Sequence, residues 1–189
     1  MVWKNLHIYV EKKSKSKFSQ YFLSIVAFIE SIFFPIPPDL ILIPIVYFNP
    51  NKFLVTALNC TIFSVIGGAF GYFIGYFIFE AVQSYFDMSK QTEFINFYND
   101  WGIFAVFLGG FTPIPYKIIA LTSGYSQFNF IYFIFLSVLS RGLRFFIIAF
   151  IIKQFGGIGM QILKSNKLLI FVLIPIGIVF LIYLLFYHD

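Results

Sequence analysis

The chain has 189 residues, of which 60% are hydrophobic, 23% aromatic and only 11% charged, with a formal net charge of +5. A soluble domain is about a quarter charged, and one this small has no interior able to hide so much apolar surface. The composition therefore excludes an ordinary soluble domain and predicts one all-α integral membrane domain. Nor does the positive balance point to nucleic acid. Lys4, Lys12, Lys13, Lys15 and Lys17 crowd the N-terminus beside an apolar run, the pattern of a cytoplasmic flank drawn to anionic lipid.

Residues 1–17 read as a basic cytoplasmic segment, with Trp3, Leu6, Ile8 and Tyr9 suited to a short interfacial helix. Residues 18–34 are apolar with Glu30 inside. The run ends in Phe33-Phe34-Pro35 with no small-residue cleavage site, so it is read as retained rather than as a signal peptide. Pro35-Ile36-Pro37-Pro38-Asp39 follows, an apolar run resumes over residues 40–48, and Asn49-Pro50-Asn51-Lys52 makes a turn. Residues 53–80 are long enough to cross a bilayer, which takes about 20 residues. An acidic loop is expected over 81–100, where Asp87, Glu93 and Asp100 face Lys90.

Residues 101–112 are apolar but too short to cross, and they meet Thr112-Pro113-Ile114-Pro115-Tyr116-Lys117. A second short run ends at Gly124. Residues 130–152 form a spanning helix that carries Arg141 and Arg144, residues 153–167 a loop with Gly and Lys, and residues 168–187 a last span. The division is thus a basic segment 1–17, a membrane domain 18–155, and a C-terminal loop and transmembrane helix 156–189.

The membrane domain repeats. Laying Phe33-Phe34-Pro35-Ile36-Pro37 on Phe111-Thr112-Pro113-Ile114-Pro115 puts Ile41 on Ile119, Tyr47 on Tyr125 and Asn51 on Asn129. Pro35, Pro37 and Pro38 break the first copy, and Pro113 and Pro115 the second, because proline lacks an N–H and clashes with the preceding turn. Carbonyls freed by such a break must be buried in protein or line a wet cavity. The expected fold is two inverted repeats, each a re-entrant helical hairpin plus a spanning helix, with an extra C-terminal span. A kinked helix that crosses once is the alternative. Both versions keep the N-terminus and the loop with Lys153, Lys164 and Lys167 in the cytoplasm; re-entrant hairpins put residues 81–100 outside it.

Five charges fall inside apolar segments: Glu30, Asp39, Lys117, Arg141 and Arg144. Each costs about 2.5–3.5 kcal/mol on insertion scales and marks a pathway or a partner. Arg141 and Arg144 share a helix face and suit a phosphate held bidentately, with Lys117 as a further head-group candidate. The competing reading is internal neutralisation of the arginines by Asp39 or Glu30. Asp39 falls on Lys117 in the repeat, so meeting hairpin tips would pair those two charges. Burial favours the neutral form of a carboxylate, which makes Glu30, with Asp39, the candidate proton or charge relay.

Gly67, Gly68, Gly71 and Gly75 form a packing face for another helix. They are not a phosphate loop, since no Lys-Ser/Thr pair follows. Cys60 stands alone in an apolar stretch, and His7 and His188 lie near opposite ends. No metal site, cofactor or enzyme constellation is expected from such a set.

Taken in order, Glu30-Ser-Ile-Phe-Phe-Pro35-Ile-Pro37-Pro38-Asp39, Gly67-Gly68…Gly71-Tyr72…Gly75 and Gly109-Gly110-Phe111-Thr-Pro113-Ile-Pro115-Tyr-Lys117 resemble the DedA family, also called the VTT or SNARE-associated domain, in its YqaA-like branch. The resemblance covers roughly residues 20–155. It implies facing re-entrant hairpins in the bacterial inner membrane and transport of an anionic lipid, polyprenyl phosphate or phospholipid, between leaflets as a flippase or scramblase, in some members proton-coupled. A homo-oligomer is compatible with it. Members usually carry Arg on both sides of the second proline motif, whereas this chain has Gly110 before it and Lys117 after it. A non-transporting scaffold and an ion or small-molecule exchanger are the other functions that the pattern allows.

Overall fold

The computed structural model describes residues 14–16, 18–33, 37–82, 88–112 and 115–164. Pro35, Pro113, the basic residues before Ser14, Lys17 and the last predicted span, 168–187, lie outside the described residues. Within them the chain is helical throughout: α1 (Phe18–Ile32), α2 (Asp39–Phe48), a 3-10 turn (Pro50–Lys52), α3 (Phe53–Val82), α4 (Met88–Phe111), α5 (Tyr116–Tyr125) and α6 (Phe130–Lys164).

The helices stop where local chemistry demands. The N–H of Phe33 donates to Ile29 O at the end of α1, and Leu42 N–H donates to Pro38 O at 2.9 Å as α2 begins. Pro38 and Pro115 occupy the positions before α2 and α5, where the missing N–H costs no intrahelical bond. The α5–α6 turn is closed by Phe128 N–H to Ser123 O and Gln127 N–H to Gly124 O, both 3.0 Å. Gln127 takes φ +53°, the left-handed conformation that this helix ending requires. Asn129 then caps α6, its Oδ1 accepting from Ile131 and Tyr132 N–H at 2.9 and 3.2 Å.

Two expected loops are helical. The acidic stretch 81–100 is helix from Met88, because it contains no proline or glycine to interrupt the backbone ladder. The stretch 153–167 continues α6 to Lys164 across a kink at Phe155 (φ −118°, ψ 26°), just before the Gly156-Gly157 pair.

Helices α3 and α6 run through two cores. The first joins Leu23 and Ala27 of α1 and Leu42 and Val46 of α2 to Cys60 of α3 and Phe145 of α6. The second joins Val106 of α4 and Tyr116 and Ala120 of α5 to Tyr72 of α3 and Phe133 of α6. Glycine sets the spacing. A Cβ on Gly75 would lie 2.0 Å from Leu121 O, and one on Gly124 would lie 1.8 Å from Tyr72 O, so α3 and α5 meet backbone to backbone.

The outer faces are apolar. Leu58, Ile62, Phe70 and Phe77 of α3 and Ile131, Phe135 and Val138 of α6 are all exposed. The stretches Pro50–Ala81 (32 residues) and Phe130–Gly156 (27 residues) are long and apolar enough to cross a membrane. At 1.5 Å per residue the shorter extends about 40 Å, against about 30 Å of hydrocarbon. An apolar belt of this extent suits lipid better than water and points to association with a membrane.

Candidate functional site

The charged residues of the apolar segments gather between the two cores. Arg141 of α6 is 2% exposed. Its Nε–H donates to Ser64 Oγ at 2.6 Å, and Nη2 donates to Glu30 Oε2 at 2.6 Å and to Ser31 Oγ at 3.1 Å. The guanidinium lies 4.4 Å from the centroid of the Tyr116 ring and 5.2 Å from that of Phe145. Every contact here meets a requirement of burial, since an enclosed charge is tolerated only when paired and hydrogen-bonded. The ring of Tyr116 reaches this place because Gly68 has no side chain. A Cβ there would stand 2.5 Å from the Tyr116 ring and hydroxyl.

One turn along α6, Arg144 makes a second pair. Its Nη2 donates to Asp39 Oδ2, and its Nη1 donates to the carbonyl of Thr112 at 2.8 Å. Asp39 opens α2, where the helix dipole favours a carboxylate, and Thr112 closes α4, where freed carbonyls favour a cation. The two side chains of this pair are 17% and 16% exposed. Asp39 Oδ1 is buried without a hydrogen-bond partner. Lys117 of α5 donates from Nζ to the carbonyl of Phe33, past the end of α1, at 3.2 Å. Each proline break thus presents a carbonyl that a cation of the second half caps.

The expected pairing of Asp39 with Lys117 is therefore corrected: Asp39 is bound to Arg144, and Lys117 to the Phe33 carbonyl. A planar fork can satisfy a carboxylate and a carbonyl at once, which a lysine ammonium does less well. Arg141 and Arg144 lie three apart on α6 and pair with separate carboxylates, Glu30 on α1 and Asp39 on α2. Pro37, Pro38 and Pro115 flank the breaks. Gly67 faces Phe28 O at 2.3 Å from a built Cβ, and Gly71 faces Ala120 Cβ at 3.1 Å.

Sequence reasoning missed Ser31, Ser64 and Tyr116. Hydroxyls spaced among apolar residues give no pattern of their own. The available signal was position: Ser31 follows Glu30, and Tyr116 lies between Pro115 and Lys117. Among the described residues no group of three or more His, Cys, Asp and Glu could hold a metal ion, and Cys60 is a core residue with no exposure.

The chain is 39% identical over 140 residues to an uncharacterized protein of Haemophilus influenzae, covering 72% of this chain and 73% of that one. It is 34% identical over 136 residues to an uncharacterized protein of Histophilus somni, covering 70% and 71%. A protein of the archaeon Methanocaldococcus jannaschii is 28% identical over 133 residues, covering 69% and 82%. No family model and no solved structure matches the chain.

Proposed function

We propose, for a chain that belongs to the family of the Haemophilus influenzae and Histophilus somni proteins, a transporter of the DedA type that moves an anionic lipid between leaflets of the bacterial inner membrane. The observation that carries this reading is the reach of Arg144. One guanidinium joins Asp39, beyond the first proline break, to the Thr112 carbonyl, before the second. A fixed cation that ties two broken helices together inside an apolar bundle is placed as a transport site would be.

The packing supports an inverted repeat. Helix α1 lies on α3 as α4 lies on α6, and α5 lies on α3 as α2 lies on α6. On this reading α1–α2 and α4–α5 are the re-entrant pairs, and the N-terminus is cytoplasmic. A lipid phosphate competes with Asp39 for Arg144, the more open of the two pairs, with Lys117 beside the first break as its second cation. Glu30 takes up the coupling proton.

The scaffold reading has one observation in its favour, the enclosure of Arg141 by hydrogen-bond partners and two rings. Exchange of labelled phospholipid between leaflets of liposomes containing the purified protein separates the two. Transport predicts exchange above protein-free liposomes, loss of it at every pH in Arg144→Ala, and loss of its pH dependence in Glu30→Gln. Exchange no faster than in empty liposomes favours the scaffold.

A further inference from the structure

We propose that Ser31 and Ser64 are positioning residues that anchor Arg141 independently of Glu30, so that Glu30 is the partner that can let go. The inference rests on the transport reading for its consequence but not for its geometry. The hydroxyl pair is directional. Ser64 Oγ accepts from Arg141 Nε–H, which leaves its own proton for Ser31 Oγ at 2.8 Å. Ser31 has one proton and two acceptors in reach, Ala27 O at 2.9 Å and Glu30 Oε2 at 3.4 Å; it donates to the nearer carbonyl, and its oxygen also accepts from Arg141 Nη2 at 3.1 Å. Proton by proton, the chain runs from the guanidinium through both serines to a helix carbonyl, and no step in it needs the carboxylate.

Both serines are fully buried, whereas the Glu30 side chain is 14% exposed and that of Arg141 is 3% exposed. The guanidinium is further fixed by the rings of Tyr116 and Phe145. Among this set, therefore, the carboxylate has access to an opening and the arginine does not. When Glu30 gains a proton, or when an anionic group displaces it, Arg141 keeps two hydroxyl acceptors and stays where it is. Without the serines the same event would leave a buried guanidinium with none of these acceptors, a large penalty.

The charged and titratable groups around Glu30 are Arg141 and Arg144 on α6, Asp39 on α2, Cys60 on α3 and Tyr116 on α5. Of these only Arg141 donates into the hydroxyl chain. Loss of the Ser64 acceptor would make Arg141 depend more on ionised Glu30. Exchange should then slow when the Ser64 hydroxyl is lost and recover when a hydroxyl is put back at that position.

Two measurements on the full-length protein test this. The first is the rate of labelled-phospholipid exchange in liposomes for wild type, Ser64→Ala and Ser64→Thr. The expected result is a several-fold slowing in Ser64→Ala that Ser64→Thr restores. The second is thermal unfolding in detergent of Glu30→Gln, Ser64→Ala and the double variant, with Ser31→Ala in place of Ser64→Ala should the latter not fold. The expected loss in the double variant exceeds the sum of the single losses. Wild-type protein without exchange sinks the transport reading and leaves the unfolding cycle to decide the anchor. An additive cycle overturns the anchor, as does wild-type exchange in Ser64→Ala.

Discussion

Arg144 and Asp39 form an ion pair that joins α6 to the first residue of α2, and the same guanidinium holds the Thr112 carbonyl at the end of α4. This gives the pair two duties: it neutralises a carboxylate inside an apolar bundle, and it fixes the two broken helices relative to each other. Removal of the cation undoes both. Arg144→Ala should destabilise by about 3–5 kcal/mol, because it leaves Asp39 without its counter-charge. The double change Arg144→Ala with Asp39→Ala should recover part of that loss. Thermal unfolding of the four proteins in one detergent measures the coupling.

The same cycle built on Lys117 should come out differently. Lys117 binds the Phe33 carbonyl and not Asp39. Asp39→Lys combined with Lys117→Asp should therefore be no better than the worse single change, since it sets a lysine against Arg144 and an acid against a carbonyl. Recovery in the double swap would show that the two charges meet in another state.

The contrast between these cycles marks how far the sequence could be read. Two helices long and apolar enough to cross a membrane, and two proline-bearing breaks, are visible in hydropathy and proline spacing, since those depend on neighbours along the chain. The charged residues were visible as a set, because a charge in an apolar run is conspicuous by itself. Their partners were not. Pairing of Asp39 with Arg144 rather than Lys117 depends on how α6 lies against α2, a tertiary fact with no trace in local pattern. Ser31 and Ser64 were hidden for the same reason. The helix starting at Met88 is polar enough to resemble a loop, yet it has no proline or glycine before Gly102 to break it.

The glycines of α3 should differ in tolerance by what they touch. Gly75→Ala drives a methyl to 2.0 Å from the Leu121 carbonyl, which is backbone and cannot turn aside. Gly71→Ala meets Ala120 Cβ at 3.1 Å, a contact that a small shift relieves. Overpacking costs about 1–3 kcal/mol, so Gly75→Ala should lie at or above that range and Gly71→Ala at its lower end. Ranked melting temperatures in detergent check the order.

Topology can be tested at the first turn of α4. Re-entrant pairs leave α3 as the first full crossing, so a cysteine at Ser89 should react from the side away from the cytoplasm. Cys60→Ala supplies the background; Cys60 is buried with no exposure, and its loss removes a small core side chain. Labelling of Ser89→Cys in intact cells by a membrane-impermeant maleimide is the expected outcome. Reaction only after the cells are opened would favour kinked helices that each cross once.

The last prediction separates cations that hold the fold from cations that meet a ligand. Arg141 is almost wholly enclosed, while Lys117 is half-buried with its ammonium on a carbonyl at the first break. Arg141→Ala should strand Glu30 and open a void between Tyr116 and Phe145, with loss of folded protein or of several kcal/mol. Lys117→Gln keeps a donor for the Phe33 carbonyl and removes only the charge. Its stability should change by about 1 kcal/mol or less, the usual scale of a partly exposed polar contact. If an anionic lipid passes this break, exchange should nonetheless fall several-fold, and more steeply for anionic than for zwitterionic labelled lipid. The measurement is leaflet exchange for both lipids beside a melting curve from the same preparation. Unchanged exchange in Lys117→Gln would remove Lys117 from the path and leave Arg144 as the cation that the lipid meets.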